Sequence, residues 1–139
     1  MALINILIAE DNIHDFESIV RKLNYFGSMG EIIHVKDGEK ALEYLFKTGE
    51  YANAADYIKP DLILLDLSMP KVSGEEVLET IKAEGTDEIK KIPVIIFTSE
   101  EDKFTNKKCF ESGARGFFIK PVSLNHLEDM LIMLNLLQS

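Results

Sequence analysis

Five short, mostly apolar runs, each followed by a segment with helical periodicity, constrain the fold of this chain more than any other feature. The runs cover residues 3–9, 31–36, 62–65, 92–97 and 115–119. Short apolar runs of this kind are typical of strands that are buried on both faces. Because strand and helix alternate five times, the pattern predicts a parallel sheet covered by helices on both faces, with right-handed crossovers.

Apolar residues spaced three or four apart predict the helices. The first begins near Asn12, with Asn12 or Asp11 as its N-cap, and the second follows the turn at Asp37-Gly38. The third begins at Gly74, the fourth spans 100–112 with a thin apolar stripe, and the last runs from a cap at Ser123 nearly to the end of the chain. Residues 48–59 and 85–91 are predicted to be loops.

The acidic composition limits the classes of function. The chain has 139 residues and a formal net charge of −9, which suits one domain and argues against non-specific binding to nucleic acid or to an anionic membrane. No apolar run approaches the roughly 20 residues needed to span a bilayer, and the N-terminal segment lacks the basic region of a signal peptide. Cys109 is the single cysteine, so no internal disulfide can form and a reducing compartment, the cytoplasm, is expected.

Two common kinds of functional motif are absent from the sequence. No cluster of His and Cys predicts a zinc site, and no phosphate-binding loop of the GxxxxGK[ST] type occurs. The three histidines, His14, His34 and His126, are scattered and are interpreted as surface or cap residues.

Polar residues stand at the ends of four of the five predicted strands. Glu10 and Asp11 follow the first strand, Asp66 ends the third, Thr98 follows the fourth and Lys120 follows the fifth. Taken singly, each has an ordinary explanation as a helix cap, a turn residue or a solvated charge. In a doubly wound sheet these strand ends lie along one edge, where ligands bind, so the residues are expected to converge.

The expected cluster suits the handling of a phosphoryl group. Three carboxylates a few ångströms apart repel one another, and a hard cation such as Mg²⁺ would relieve that repulsion. Lys120 offers a compact positive charge, and Thr98 offers a hydroxyl donor for an anionic oxygen. Phosphoryl transfer depends mainly on positioning and on neutralising charge, which such a set supplies.

These residues resemble the receiver domain of two-component response regulators. The resemblance rests on Glu10-Asp11, on Asp66 with Met69-Pro70 and Gly74, on Thr98, and on Lys120-Pro121, in order along essentially the whole chain. It implies a flavodoxin-like doubly wound (βα)₅ fold, with a five-stranded parallel sheet in the order 2-1-3-4-5. It also implies a single receiver domain over residues 1–139, with no DNA-binding or enzymatic output domain.

The resemblance assigns a role to each residue of the cluster. Asp66 would be the phosphoacceptor, and Mg²⁺ (or Mn²⁺) would be held by Asp11, by Glu10, by Asp66 and by the backbone carbonyl of Ser68. Thr98 and Lys120 would bind the phosphoryl oxygens, and the peptide bond before Pro121 would be cis. Thr98 and Phe117 would form the switch that alters the surface of the fourth helix, fifth strand and last helix. Ser68 and Glu100, two positions past Asp66 and Thr98, would tune the lifetime of the phosphoryl group.

The resemblance also implies partners. A sensor histidine kinase would donate the phosphoryl group, and a downstream target or a phosphotransfer protein would receive the signal. The long loop 48–59 and the segment from Pro60 to Asp66 are similar to regulators that are paired with bacterial phytochromes. Ile132, Met133 and Leu136 lie off the main apolar face of the last helix, and this predicts an exposed patch for a homodimer or for kinase docking.

Two other classes of function remain open at this point. One is a phosphohydrolase with an aspartyl-phosphate intermediate, like the haloacid dehalogenases, although that family carries a second Asp where this chain has Ser68. Turnover of a phosphomonoester would identify it. The other is an adaptor that binds partners without phosphorylation, which would bind equally well after Asp66→Asn.

Overall fold

The sheet and its helices appear in a computed structural model that describes residues 3–53, 55–67, 69, 71–99 and 103–138, with residues 103–106 described by their backbone. The elements are β1 (Ile4–Ala9), α1 (Ile13–Asn24), β2 (Met29–Val35), α2 (Gly38–Phe46), a 3₁₀ turn (Gly49–Tyr51), β3 (Leu62–Asp66), α3 (Gly74–Glu84), α4 (Asp87–Lys90), β4 (Val94–Thr98), α5 (Lys103–Glu111), β5 (Gly116–Ile119) and α6 (Leu124–Met133). Within the described ranges, no helix combines the length and the apolar character needed to cross a membrane.

All four strand pairings are parallel, and the order of strands is β2-β1-β3-β4-β5. This order confirms the predicted flavodoxin-like fold. β3 lies in the middle, where Leu7 of β1 is opposite Ile63, and Asp66 is opposite Phe97 of β4. The strands therefore end in line, and their carboxyl ends form one edge of the sheet.

The continuous apolar run of β3 is explained by burial on both of its faces. All five residues of the strand are buried. Ile63 and Leu65 belong to the core cluster that α2 and α3 cover, whereas Leu62 and Leu64 belong to the cluster on the opposite face, with residues of α1 and α6. Successive side chains of a strand point to opposite faces, so a strand between two helical layers has no solvent-facing position left for a polar residue.

Side-chain caps fix where the helices begin. Asn12, rather than Asp11, caps α1 and accepts hydrogen bonds from the backbone N–H groups of His14 and Asp15. Ser73 and Glu76 form a capping box at the start of α3, and Ser123 caps α6 as predicted. The caps of α1 and α3 lie beside the sheet edge, so they also fix where these two helices begin relative to it.

The two segments predicted to be loops contain local structure. The charged segment 85–91 includes the short helix α4, which Thr86 caps by accepting a hydrogen bond from the N–H of Ile89. Two tyrosines of the segment 48–59, Tyr51 and Tyr57, pack against the buried Tyr44 with ring centroids 5.1 and 4.9 Å away. Neither feature has the apolar periodicity from which the other helices were predicted.

The prediction that the last helix runs nearly to the end of the chain is wrong. α6 ends at Met133, and Asn135 adopts a left-handed conformation with φ 61° that turns the chain back. Leu136 thereby packs against the core cluster of α1 and α6, together with Leu134 and Leu137, instead of extending a second apolar face. Met133 remains 61% exposed, so only part of the expected patch exists.

Candidate functional site

Four strands bring their polar end residues to one edge of the sheet. Glu10 directly follows β1, Asp66 and Thr98 are the last residues of β3 and β4, and Lys120 directly follows β5. Glu10 is fully buried, and Asp66 and Thr98 are each 3% exposed. Buried polar groups of this kind are costly unless they are paired, so their convergence requires compensating partners.

Three carboxylates lie close enough together to share one cation. Glu10, Asp11 and Asp66 each offer an oxygen, and these oxygens lie within 4.8 Å of one another. Two of the three side chains are buried and the third, Asp11, is exposed, so a cation could enter from the Asp11 side. Oxygen ligands in this number fit Mg²⁺ or Mn²⁺, which usually complete their coordination with water.

Burial of Glu10 makes its ionisation costly. Burial, reinforced by a hydrogen bond to Asp66, raises the pKa of Glu10 from 4.5 to about 7, although the contact with Lys120 acts in the opposite direction. The carboxyl group is therefore partly protonated near neutral pH. A divalent cation would displace this proton, because metal ligation requires the carboxylate form.

Lys120 supplies the positive charge of the cluster. Its ammonium donates hydrogen bonds to Glu10, to Asp66 at 3.3 Å and to Asp15 at 2.9 Å. Burial alone would lower the pKa of Lys120, but the hydrogen bonds to Glu10 and Asp15 outweigh it and raise that pKa, so the ammonium stays protonated. The ammonium also lies 5.1 Å from the centroid of the Phe97 ring.

Asp15 was not among the site residues predicted from the sequence. It lies in the first turn of α1, 105 residues before Lys120, so no local pattern connects the two. An indirect signal exists, since a helix capped by Asn12 must begin at the edge of the sheet, with its first-turn acidic residue near the strand ends. The structure thus adds a fourth carboxylate, from outside the strands, to the predicted cluster.

The other predicted site residues lie at or near the ends of β4 and β5, or outside the described residues. Thr98 is buried at the end of β4, Phe117 is half-buried in β5 opposite Ile96, and the Lys120–Pro121 peptide bond is cis. Phe117 packs against the core cluster on the side of α2 and α3. Ser68 and Glu100 lie outside the described residues, and their assigned roles stay predictions.

Comparison with known proteins places the chain in a family. The sequence model of the response regulator receiver domain family matches residues 6–132 of this chain. The chain is a response regulator receiver domain.

Relatives of this receiver include photoreceptor-associated regulators. Response regulator Rcp1 of Synechocystis sp. is 32% identical over 91% of this chain and 82% of that protein, and a structure of its Mn²⁺-bound form superposes with a TM-score of 0.75, covering 94% of this chain and 88% of that one. The bacteriophytochrome response regulator AtBRR is 35% identical, with a TM-score of 0.82 over 100% of this chain and 97% of that one. The phosphorylated cyanobacterial phytochrome response regulator RcpA is 34% identical, with a TM-score of 0.78 over 94% and 89% of the two chains.

A glycine lets the third helix of the receiver approach the acidic strand end. A Cβ atom at Gly74 would lie 2.5 Å from the backbone oxygen of Asp66 and 3.0 Å from the Cα of Leu67. Only glycine allows α3 to begin so close to Asp66 without displacing backbone atoms. The spacing between Asp66 and Gly74 in the sequence therefore has a steric cause.

Two residues outside the cluster have environments that bear on the sequence predictions. His34 is not a surface residue: it is half-buried, it stacks on Phe16 at 3.7 Å, and its Nε2 lies 2.7 Å from the backbone oxygen of Glu10. Cys109 is a buried side chain of α5, and burial raises the pKa of its thiol to about 11. The Cys109 thiol therefore stays protonated. The contact of His34 with the backbone oxygen of Glu10 helps to hold the chain in place beside the acidic cluster.

Proposed function

We propose that Asp66 of this receiver accepts a phosphoryl group from the phosphohistidine of a sensor histidine kinase. The observation that carries the proposal is the convergence of buried Asp66 with two further carboxylates and with the Lys120 ammonium at one sheet edge. Receiver domains are signalling domains rather than classical enzymes. In this proposal the only reactions that the chain catalyses are its own phosphorylation and dephosphorylation.

The residues divide the chemistry between them. A carboxylate oxygen of Asp66 attacks the phosphorus atom, the phosphorus–nitrogen bond of the phosphohistidine breaks, and its electron pair returns to the imidazole ring. The product on Asp66 is an acyl phosphate, which carries more negative charge than the carboxylate it replaces. Lys120, whose ammonium lies 3.3 Å from an Asp66 carboxylate oxygen, would offset that charge. The Thr98 hydroxyl would donate a hydrogen bond to a phosphoryl oxygen.

The same edge would hold a divalent cation. Receiver domains bind Mg²⁺ or Mn²⁺, and Glu10, Asp11 and Asp66 have the geometry for it. We include the backbone carbonyl of Ser68 as a further ligand. When bound, the cation supplies the positive charge that lets several carboxylates and a phosphoryl group occupy one site.

A change at Thr98 would pass the signal to the surface. If Thr98 is drawn toward the phosphoryl group, it vacates space behind β4, and half-buried Phe117 on the neighbouring strand can turn inward. This movement would bias the surface formed by α5, β5 and α6 between two states. Here α5 is the fourth helix predicted from the sequence, and α6 is the last. Ser68 and Glu100, near the acceptor and the switch in sequence, would tune the lifetime of the phosphoryl group.

The proposed partners are proteins. A bacterial phytochrome is the kinase that the relatives favour, since RcpA and AtBRR are described as phytochrome response regulators. Residues 1–139 would form one receiver domain that signals by docking to a downstream target or to a phosphotransfer protein. A net charge of −9 disfavours nucleic acid, and a single buried cysteine suits the cytoplasm.

Intact mass after incubation with acetyl phosphate and Mg²⁺ tests the phosphoacceptor. We expect one added phosphoryl group on the unsubstituted protein, and none after Asp66→Asn or in EDTA, because each change removes either the nucleophile or the cation. Asp61→Asn is the matched control, since Asp61 lies beside the opposite end of β3. Its carboxylate accepts a hydrogen bond from the backbone N–H of Asn5. A phosphoryl group that persists in Asp66→Asn would contradict the proposal.

Part of the proposed output is a homodimer through the α5-β5-α6 surface. Phe110, Ile119, Leu124 and Met133 on these three elements are all more than one third exposed, at 49%, 41%, 37% and 61%. Exposed large apolar side chains on all three elements of this surface favour an interface. We expect light scattering to show a dimer of the phosphorylated protein that Ile119→Ser weakens. Tyr25→Ser, which changes an exposed residue just past the C-terminal end of α1, should not weaken it. A monomer in both phosphorylation states would exclude the dimer.

A further inference from the structure

Asp15 is held in place from two sides. Its backbone N–H donates a hydrogen bond to the side chain of Asn12 at 3.1 Å, which fixes the first turn of α1. Its carboxylate accepts a hydrogen bond from the Lys120 ammonium at 2.9 Å. Asp15 therefore acts on the cluster through Lys120 and contacts it from the side of α1.

All three hydrogens of the Lys120 ammonium have carboxylate acceptors. They are shared among Glu10, Asp66 and Asp15, and an ammonium group has three donors. With two hydrogens on Glu10 and Asp15, the third is directed at Asp66. A phosphoryl group on Asp66 offers three strong acceptor oxygens, so it must draw hydrogen bonds from an ammonium whose other donors are already engaged.

The three carboxylates do not depend on Lys120 equally. Glu10 is fully buried, so it cannot give up the ammonium without a proton or a cation in its place. The Asp15 side chain is 40% exposed, and it borders a cavity of about 210 Å³ that Ser18, Lys22 and Ser99 also line. Because the Asp15 side chain is partly exposed and this space is large enough for water, Asp15 can be hydrated when Lys120 turns toward a phosphoryl group.

We propose that Asp15 is a positioning residue that competes with the phosphoryl group for Lys120 and thereby weakens the hold of the site on that group. This inference rests on the proposed function, since it concerns the occupancy of phosphorylated Asp66. Asp15 holds the ammonium toward α1 and adds a negative charge beside the acceptor. Both effects oppose an anion on Asp66, so removal of the Asp15 charge strengthens binding of a phosphoryl-like group.

The test is an equilibrium titration of the full chain with beryllofluoride, a phosphoryl mimic, in the presence of Mg²⁺. We expect Asp15→Asn to lower the dissociation constant about two- to fivefold, the range for one partly exposed charge pair. Asp15→Glu, which restores the carboxylate, should return it toward the original value. Glu17→Gln is the matched control, because it removes the same charge from an exposed position of the same helix.

A second measurement reports on the contact itself. The ¹⁵N signal of the Lys120 ammonium should show faster hydrogen exchange with water in Asp15→Asn than in Glu17→Gln, while urea unfolding confirms that both variants fold. An unchanged or raised dissociation constant in Asp15→Asn, or an equal effect of Glu17→Gln, would overturn the inference. Absence of beryllofluoride binding by the unsubstituted protein would instead overturn the proposed function, and with it the competition of Asp15 for Lys120.

Discussion

Replacing Lys120 by methionine is expected to lower the free energy of unfolding by about 3–5 kcal/mol at pH 8 in the absence of Mg²⁺. Methionine keeps most of the buried stem and removes the ammonium, with its charge and its hydrogen-bond donors. Glu10 and Asp66, both buried, would then face each other without a cation between them. Removing one partner of a buried ion pair is costly for this reason, whereas the intact pair contributes little net stability.

Added Mg²⁺ should reverse much of this loss, because the cation takes over the neutralisation of Glu10 and Asp66. A lower pH should also reduce it, since Glu10 can then bind a proton. Urea unfolding with and without Mg²⁺, at pH 8 and pH 5.5, measures both effects. Lys90→Met, which removes the same charge from an exposed position of α4, is the matched control. A loss of less than about 1 kcal/mol for Lys120→Met without Mg²⁺ would show that the carboxylates do not need Lys120.

The fold was predictable because each strand carries its own signal. Leu62 to Leu65 are apolar without interruption because helices cover both faces of β3, and the same reasoning located the other four strands to within about two residues. The residues at the strand ends were predictable for a related reason, since parallel strands share an edge. Asp66 and Lys120 come together through topology alone, although 54 residues separate them.

Features without a periodic signal were not predictable in the same way. The contact between Asp15 and Lys120 depends on the angle at which α1 leaves the sheet, and no spacing in the sequence encodes that angle. The short helix α4 is defined mainly by its Thr86 cap. The early end of α6 had a readable cause, because Asn135 is one of the few residue types that tolerate the left-handed conformation, but the apolar residues around it suggested a continuous helix.

Stability should depend on pH through Glu10. The pKa of this carboxyl is raised from 4.5 to about 7 by burial and by Asp66, so the folded protein binds the proton more tightly than the unfolded chain. The resulting contribution to the free energy of unfolding is fully present below pH 4.5 and is lost as the pH rises through about 7. At about 1.4 kcal/mol per pKa unit, it amounts to about 3 kcal/mol without Mg²⁺.

The difference in unfolding free energy between the unsubstituted protein and Glu10→Gln isolates this contribution, because all other titrating groups are common to both. We expect the difference to change by up to about 3 kcal/mol between pH 4.5 and pH 8, with the unsubstituted protein losing stability relative to the variant. Saturating Mg²⁺ should stabilise the unsubstituted protein more at pH 8 than at pH 5.5, since the cation competes with the proton on Glu10. Parallel pH profiles for the two proteins would mean that Glu10 is ionised across the whole range. In that case Lys120, rather than a proton, neutralises Glu10 whenever the metal is absent.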